Sequence, residues 1–184
     1  MDRYQRALGG IALLAGLLLF SGAARAQELY TFSVAALGNI GGSVDADPGD
    51  SLTNTGYQLN LAMVTDPRTL VAVRLGRLGL DADEFFGSLT DADLTYVTVG
   101  GEYRYDESWY DSGLYLALGG YRLEGTGQDG RDSKDSALGL SVGATAEFKV
   151  NRWLAVLLEL SGHYVDFDEE NFFGMGQGGV VVHF

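Results

Sequence analysis

The chain has no cysteine, and only two prolines and two histidines among its 184 residues. Without cysteine there is neither a disulfide framework nor a thiolate metal site. Basic residues are scarce too: 12 Lys and Arg stand against 25 Asp and Glu, for a formal charge of −13. Nucleic acid is therefore excluded as a partner, since binding it needs a basic surface. Long apolar runs are almost missing, and the one at residues 7–20 is shorter than the roughly 20 residues that a membrane-spanning helix needs. What the chain has in excess is glycine, 27 residues, together with ten tyrosines. A Gly- and Tyr-rich chain with so little proline suggests many strands.

The apolar run belongs to the first 27 residues, MDRYQRALGGIALLAGLLLFSGAARAQ. Arg3 and Arg6 precede it, and the small-residue site Ala24-Arg25-Ala26 follows it. This is the pattern of a secretory signal peptide, residues 1–26, cleaved after Ala26. Its removal leaves 9 of the 12 basic and 24 of the 25 acidic residues. Residues 27–184 then form one domain.

Within that domain the apolar residues recur with period two, and no helical period is sustained. Tyr57, Leu59, Leu61 and Met63 alternate with Gln58, Asn60 and Ala62; Leu138, Leu140, Val142, Ala144, Ala146 and Phe148 alternate with Gly139, Ser141, Gly143, Thr145, Glu147 and Lys149. Eight such strands are expected, at about 28–38, 55–64, 69–80, 94–105, 113–123, 136–149, 152–165 and 173–184. The intervening connections alternate long and short, with long ones at 39–54, 81–93, 124–135 and 166–171. That spacing predicts an all-β, antiparallel, up-and-down barrel.

Which face turns inward separates two barrels. A lipocalin-like soluble barrel puts its apolar face around a cavity, and a membrane barrel does the reverse. Arg74, Glu102, Arg104, Glu147, Lys149 and Glu159 share the face opposite the apolar one, and six charges of both signs suit an interior ion-pair network. Arg77 and Arg122 break this rule and are read as strand ends.

The chain closes on GMGQGGVVVHF, an alternating run with Val180, Val182 and Phe184 on the apolar face. Such an ending, with the signal peptide, the strand count and the loop alternation, resembles the small eight-stranded outer-membrane β-barrels of the OmpA/OmpX-like family. The resemblance covers residues 27–184. It implies location in the outer membrane of a Gram-negative bacterium, both mature termini in the periplasm, and Phe184 as the signal read by the barrel-assembly machinery. Long connections are then extracellular, and Tyr103, Tyr105, Trp109, Tyr110, Trp153 and Phe184 form an aromatic girdle at the periplasmic rim. Glu84 to Phe86 is read as part of the outer girdle.

The four long connections are expected to hold 16 of the acids, and their main reading is a solvated surface. Asp45, Asp47, Asp50, Asp166, Asp168 and Glu169 are weak candidates for a divalent cation, whose hard oxygen ligands carboxylates supply. No other cofactor is expected. A catalytic reading falls on Glu159, Ser161 and His163, which share a face, but a spacing of about 6.8 Å between same-face positions puts Ser161 and His163 beyond hydrogen-bond reach, so no catalytic residue is assigned. Eight strands leave a lumen that side chains fill, and the glycines of the last strand, Gly174, Gly176, Gly178 and Gly179, are expected to make room for Tyr96, Tyr115 and Tyr121. The expected function is that of a non-enzymatic, monomeric envelope barrel contacting outer-membrane lipids and lipopolysaccharide. Three alternatives stand beside it: a narrow porin-like channel, a soluble periplasmic lipocalin-like barrel, and a lipid-modifying barrel enzyme.

Overall fold

The structure, a computed structural model, describes residues 32–43, 54–81, 89–106, 109–127, 132–167 and 172–184. Among them run eight strands: β1 (Phe32–Ser43), β2 (Asn54–Asp66), β3 (Thr69–Asp81), β4 (Leu89–Asp106), β5 (Tyr110–Gly127), β6 (Asp132–Lys149), β7 (Leu154–Val165) and β8 (Phe172–His183). Each pairs antiparallel with its neighbour in sequence, and β1 pairs with β8, so the sheet closes into the expected up-and-down barrel. Phe32 and Phe184 complete the seam: the Phe184 N–H donates to the Phe32 carbonyl at 2.9 Å, and the Phe32 N–H donates to the Phe184 carbonyl at 3.4 Å. No helix among the described residues is long and apolar enough to cross a membrane.

Local chemistry sets the short turns. The Asp66 carboxylate accepts from the Arg68 amide at 3.3 Å, and the Thr65 hydroxyl donates to the Thr69 carbonyl at 3.1 Å. In the β6–β7 turn the Asn151 side-chain oxygen accepts from the amides of Trp153 and Leu154, at 2.8 and 3.0 Å. Asp and Asn holding the backbone one turn onward is a standard turn device.

The strands run further toward the opposite end than the sequence suggests. β5 and β6 leave only residues 128–131 between them, so the third connection is short, and Glu124, Asp132 and Asp135 lie on strands rather than in a loop. Asp91 and Asp93 likewise sit on β4. The ladder continues through Glu124↔Lys134, Gly125↔Ser133 and Thr126↔Asp132. Polar residues replace the apolar ones on the outer face at this end, and backbone pairing does not stop there.

Alternation then sorts the side chains. Outward point Leu114, Leu116, Leu118, Leu138, Leu140, Val142, Leu158, Leu160, Val180 and Val182, all exposed. Inward point Arg74, Glu102, Glu147, Glu159 and His163, all buried. Arg77 and Arg122 are not strand ends; they sit well inside β3 and β5 and face outward.

Close backbone approach at the seam requires glycine at position 179, where a Cβ would stand 2.0 Å from the Ala36 carbonyl oxygen and 2.7 Å from Leu37 Cα. At Gly101 a Cβ would meet nothing within 4 Å. Gly179→Ala should therefore cost about 1–3 kcal/mol by overpacking, seen as a lower urea midpoint for the compact, unheated gel band, while Gly101→Ala leaves that midpoint unchanged.

Candidate functional site: the filled lumen

Arg74 stands at the centre of the barrel because β3 places Leu70, Ala72, Arg74 and Gly76 in turn on the inner face. Its Nη2 donates to Glu102 Oε2 at 2.9 Å and its Nε to Glu159 Oε2 at 3.5 Å. Its guanidinium carbon lies 3.6 Å from the centre of the Tyr115 ring. Arg104 donates from Nε to Glu102 at 3.1 Å and contacts Glu147 through Nη1 at 2.9 Å. His183 Nε2 lies 2.7 Å from the other Glu147 oxygen. A single chain of alternating charge thus runs Glu159, Arg74, Glu102, Arg104, Glu147, from mid-barrel toward the short-turn end, where the His183 imidazole meets its last member.

Glu159 is the most heavily coordinated of these. Its Oε1 accepts from the Tyr115 hydroxyl at 2.8 Å, from Gln58 Nε2 at 3.3 Å and from Gln177 Nε2 at 3.5 Å, while Asn60 Nδ2 reaches Oε2 at 3.3 Å. Glu102 gains a further donor, the Thr145 hydroxyl at 2.8 Å. Gly113 makes this possible, since a Cβ there would fall 2.5 Å from Thr145 Oγ1 and 2.6 Å from Glu102 Oε1. A buried carboxylate survives only when its lone pairs are satisfied in this way. The uncharged partners Gln58, Asn60, Tyr115, Thr145 and Gln177 escaped the sequence reading. Alternation places them inward, but only the strand register says whom they meet.

Lys149 does not join this chain. It faces the short-turn mouth, where its Nζ lies 2.9 Å from Asp106 and 2.7 Å from Asp111. Its hydrogen bond holds the Asp106 carboxyl below the ordinary carboxylate range. Lys149, Arg104, Glu147, His183 and Arg68 line a cavity of about 220 Å³ at that mouth.

Above the charges lies a second polar layer, which corrects the reading of Ser161 and His163. His163 Nε2 stands 2.9 Å from Ser161 Oγ, and its Nδ1 is 2.9 Å from the Tyr121 hydroxyl. The Cα spacing along a strand does not limit the contact, because the imidazole leans along β7 and spans the gap. Gln177 Nε2 also donates to Ser161 at 3.2 Å. Both residues are nonetheless sealed in: His163 is 1% exposed. The lid over them is apolar, built from Leu78, Leu80, Leu94, Leu123, Val165, Phe167, Phe173 and Met175 around Tyr96 and Tyr121.

The glycines that accommodate the inner tyrosines also differ from expectation. A Cβ at Gly76 would meet the Tyr96 ring at 2.2 Å, one at Gly143 the Tyr115 ring at 2.5 Å, and one at Gly139 the Tyr121 ring at 2.7 Å. Each ring lies over a glycine of an adjacent strand, whereas Gly174, Gly176 and Gly178 of β8 face outward and Gly179 meets the β1 backbone.

At the outer surface of the short-turn end, Tyr103 and Tyr105 pack edge to face with centroids 5.1 Å apart, and Trp109 and Tyr110 cluster with Phe148. Trp153 and Phe184 are exposed at the same end. Of the cation candidates, Asp166 is exposed, and Asp45, Asp47, Asp50, Asp168 and Glu169 lie outside the described residues, as does the stretch Glu84 to Phe86. Among the described residues no group of three or more His, Asp or Glu side chains is arranged to hold a metal.

No protein-family model and no curated protein sequence matches the chain. Solved structures do. Neisserial surface protein A superposes with a TM-score of 0.61 at 18% identity, over 83% of this chain and 96% of that one. The N-terminal β-barrel domain of Pseudomonas aeruginosa OprF gives 0.61 at 12%, over 86% and 100%. Ail, the attachment invasion locus protein of Yersinia pestis, gives 0.53 at 17%, over 84% and 97%. The fold is that of the small outer-membrane barrels. In an outer-membrane barrel the exposed apolar wall is the expected lipid-facing surface and the buried polar face the expected lumen, which is how this chain is arranged.

Arg74→Leu should leave two buried carboxylates without their shared cation and cost about 3–5 kcal/mol. The double variant Arg74→Leu/Glu159→Leu should recover part of that loss. A urea double-mutant cycle that shows strictly additive effects would contradict the coupling.

Proposed function

We propose that this chain is a non-enzymatic outer-membrane β-barrel, sealed along its lumen, that contributes to envelope structure or surface interaction through the end carrying the long connections. The observation that carries this reading is the inversion of an ordinary soluble fold: leucines and valines on the outside, an arginine–glutamate chain within. A lipocalin-like reading needs the opposite arrangement.

The height of the apolar wall agrees. From Ser112 to Arg122 is about ten residues, or ~34 Å of strand. At a tilt of ~40° that becomes about 25 Å of bilayer, the height of the apolar band of such barrels. Tyr103, Tyr105, Trp109, Tyr110, Trp153 and Phe184 form the girdle at the periplasmic boundary, with both mature termini on that side. Residues 1–26 act as signal peptide, residues 27–184 as the barrel, and Phe184 as the mark read by the assembly machinery. The barrel works as a monomer among outer-membrane lipids and lipopolysaccharide.

The interior argues against catalysis and transport alike. Ser161 and His163 touch, but the apolar lid and the wall of the barrel close them off from a lipid substrate. The chain from Glu159 to Glu147 occupies the path an ion would take. Arg74, Glu102, Arg104, Glu147 and Glu159 hold the lumen shut, and Lys149 orders its periplasmic mouth.

Expression of the full chain in a Gram-negative host tests this. The outer-membrane fraction should contain a band that migrates differently before and after boiling, the sign of a detergent-resistant barrel. A soluble periplasmic product without a shift would overturn the reading. In planar bilayers the purified barrel should show no discrete conductance steps, and regular steps would favour the narrow-channel alternative instead.

A further inference from the structure

Arg77 and Arg122 do nothing for the lumen, yet they occupy the one surface where a cation is costly. The register aligns them. Arg77, Thr95, Arg122 and Ser136 are successive cross-strand partners on β3, β4, β5 and β6, so they form one row around the outer wall. The next row outward is Gly79, Asp93, Glu124 and Lys134. The rows on the other side are apolar: Leu75, Val97, Gly120 and Leu138, then Val73, Val99, Leu118 and Leu140. The boundary between hydrocarbon-like and charged surface is one residue pair sharp across four strands.

We infer that this row is a binding site for the phosphate-bearing headgroup of an outer-leaflet glycolipid, with Arg77 and Arg122 as its phosphate ligands. The site rests on the outer-membrane reading given above. In a chain of net charge −13, these two rows carry three cations against two carboxylates. Asp93 takes the Nε and Nη2 edge of Arg77, at 3.0 and 2.6 Å. Glu124 is shared between Arg122 and Lys134, with Lys134 Nζ at 3.0 Å. Both carboxylates stand on the solvent side of the arginines, so they orient the guanidiniums without covering them. Arg77 and Arg122 remain 51% and 52% exposed. Arginine suits phosphate because its planar fork offers paired donors.

The wall beside them has the shape of an amphiphile's seat. A groove of about 520 Å³ beside Arg77 is lined at its polar end by Arg77, Thr95, Asp93 and Glu124 and at its apolar end by Leu59, Leu75 and Val97, with Arg122 just outside it. Tyr57, across the strand pair from Arg77, flanks the same groove. A headgroup phosphate at the arginine row would leave its acyl chains on the rows of valine and leucine below. Charge is thus layered: Arg77 and Arg122 stand in the row next to the apolar wall, and Asp93, Glu124 and Lys134 in the row beyond it.

The test uses the full chain purified from outer membranes, with bisphosphorylated lipid A and the same lipid A stripped of phosphate as probes. Native mass spectrometry of the detergent-washed barrel should show preferential retention of the phosphorylated form, by about tenfold or more given the attraction of two arginines near a membrane surface. Arg77→Gln/Arg122→Gln should lose that preference. Arg152→Gln, at the opposite rim, removes one charge and should keep it. Inorganic phosphate should not displace the lipid. Equal retention of the two lipid forms by the wild type overturns the proposal whether or not the variants fold, and so does an equal loss in Arg152→Gln or displacement by inorganic phosphate. The heat-shifted band reports the barrel separately, so the lipid site can fail while the outer-membrane reading stands.

Discussion

A sheet that crosses a bilayer has no water to satisfy its backbone, so every amide along its edge must find a partner inside the protein. The β1–β8 seam meets that constraint, and the rest of the molecule follows from it. Ser33 through Ser43 pair residue by residue with His183 back to Phe173. Closure needs the backbones close together, which is why glycine stands at position 179 against Ala36 and Leu37. It also brings the final phenylalanine beside the first described residue, so the end of the chain completes the ladder.

Closure creates the second problem, an interior too narrow to stay empty. Eight strands leave room for side chains and little else. The chain fills it with charge toward the short-turn end and with leucine and phenylalanine toward the opposite end. Each solution supports the other: the apolar lid keeps water from the ion pairs, which strengthens them, while tyrosine rings lying over glycines let bulky residues share the same layer. Buried ion pairs are weak evidence for stability as such. Their better-supported role here is to make one register the favoured one, because a slip of one residue would turn Arg74 and Glu159 toward lipid.

Alternation was the legible part. It told inward from outward for Arg74, Glu102, Glu147 and Glu159, since a period of two needs no knowledge of neighbours. It said nothing of Gln58 or Tyr115 as ligands of Glu159, because those contacts join residues about a hundred or forty positions apart and exist only once the register is set. Ser161 and His163 differ for another reason: side-chain reach, not backbone spacing, decides their contact, and the imidazole closes the gap to 2.9 Å. The third connection is shorter than its composition suggests, because charged, glycine-rich sequence resembles loop although Glu124 and Lys134 pair across β5 and β6.

Arg77 and Arg122 were exceptions to an alternation rule that holds only within the bilayer. At the level where Arg77, Thr95 and Arg122 face outward, the inward residues become Leu78, Leu94, Tyr121 and Leu123. Polarity has inverted, and beyond this row the barrel is built like a soluble one, greasy inside and charged outside. The inversion is visible because a strand keeps its period while its two faces exchange character, and on the proposed reading it marks the edge of the membrane. A residue that seems misplaced on a lipid-facing strand is then a measure of depth. On the proposed outer-membrane reading, two arginines in one cross-strand row, with valine and leucine directly beneath, set the change from apolar to charged wall within a single residue pair.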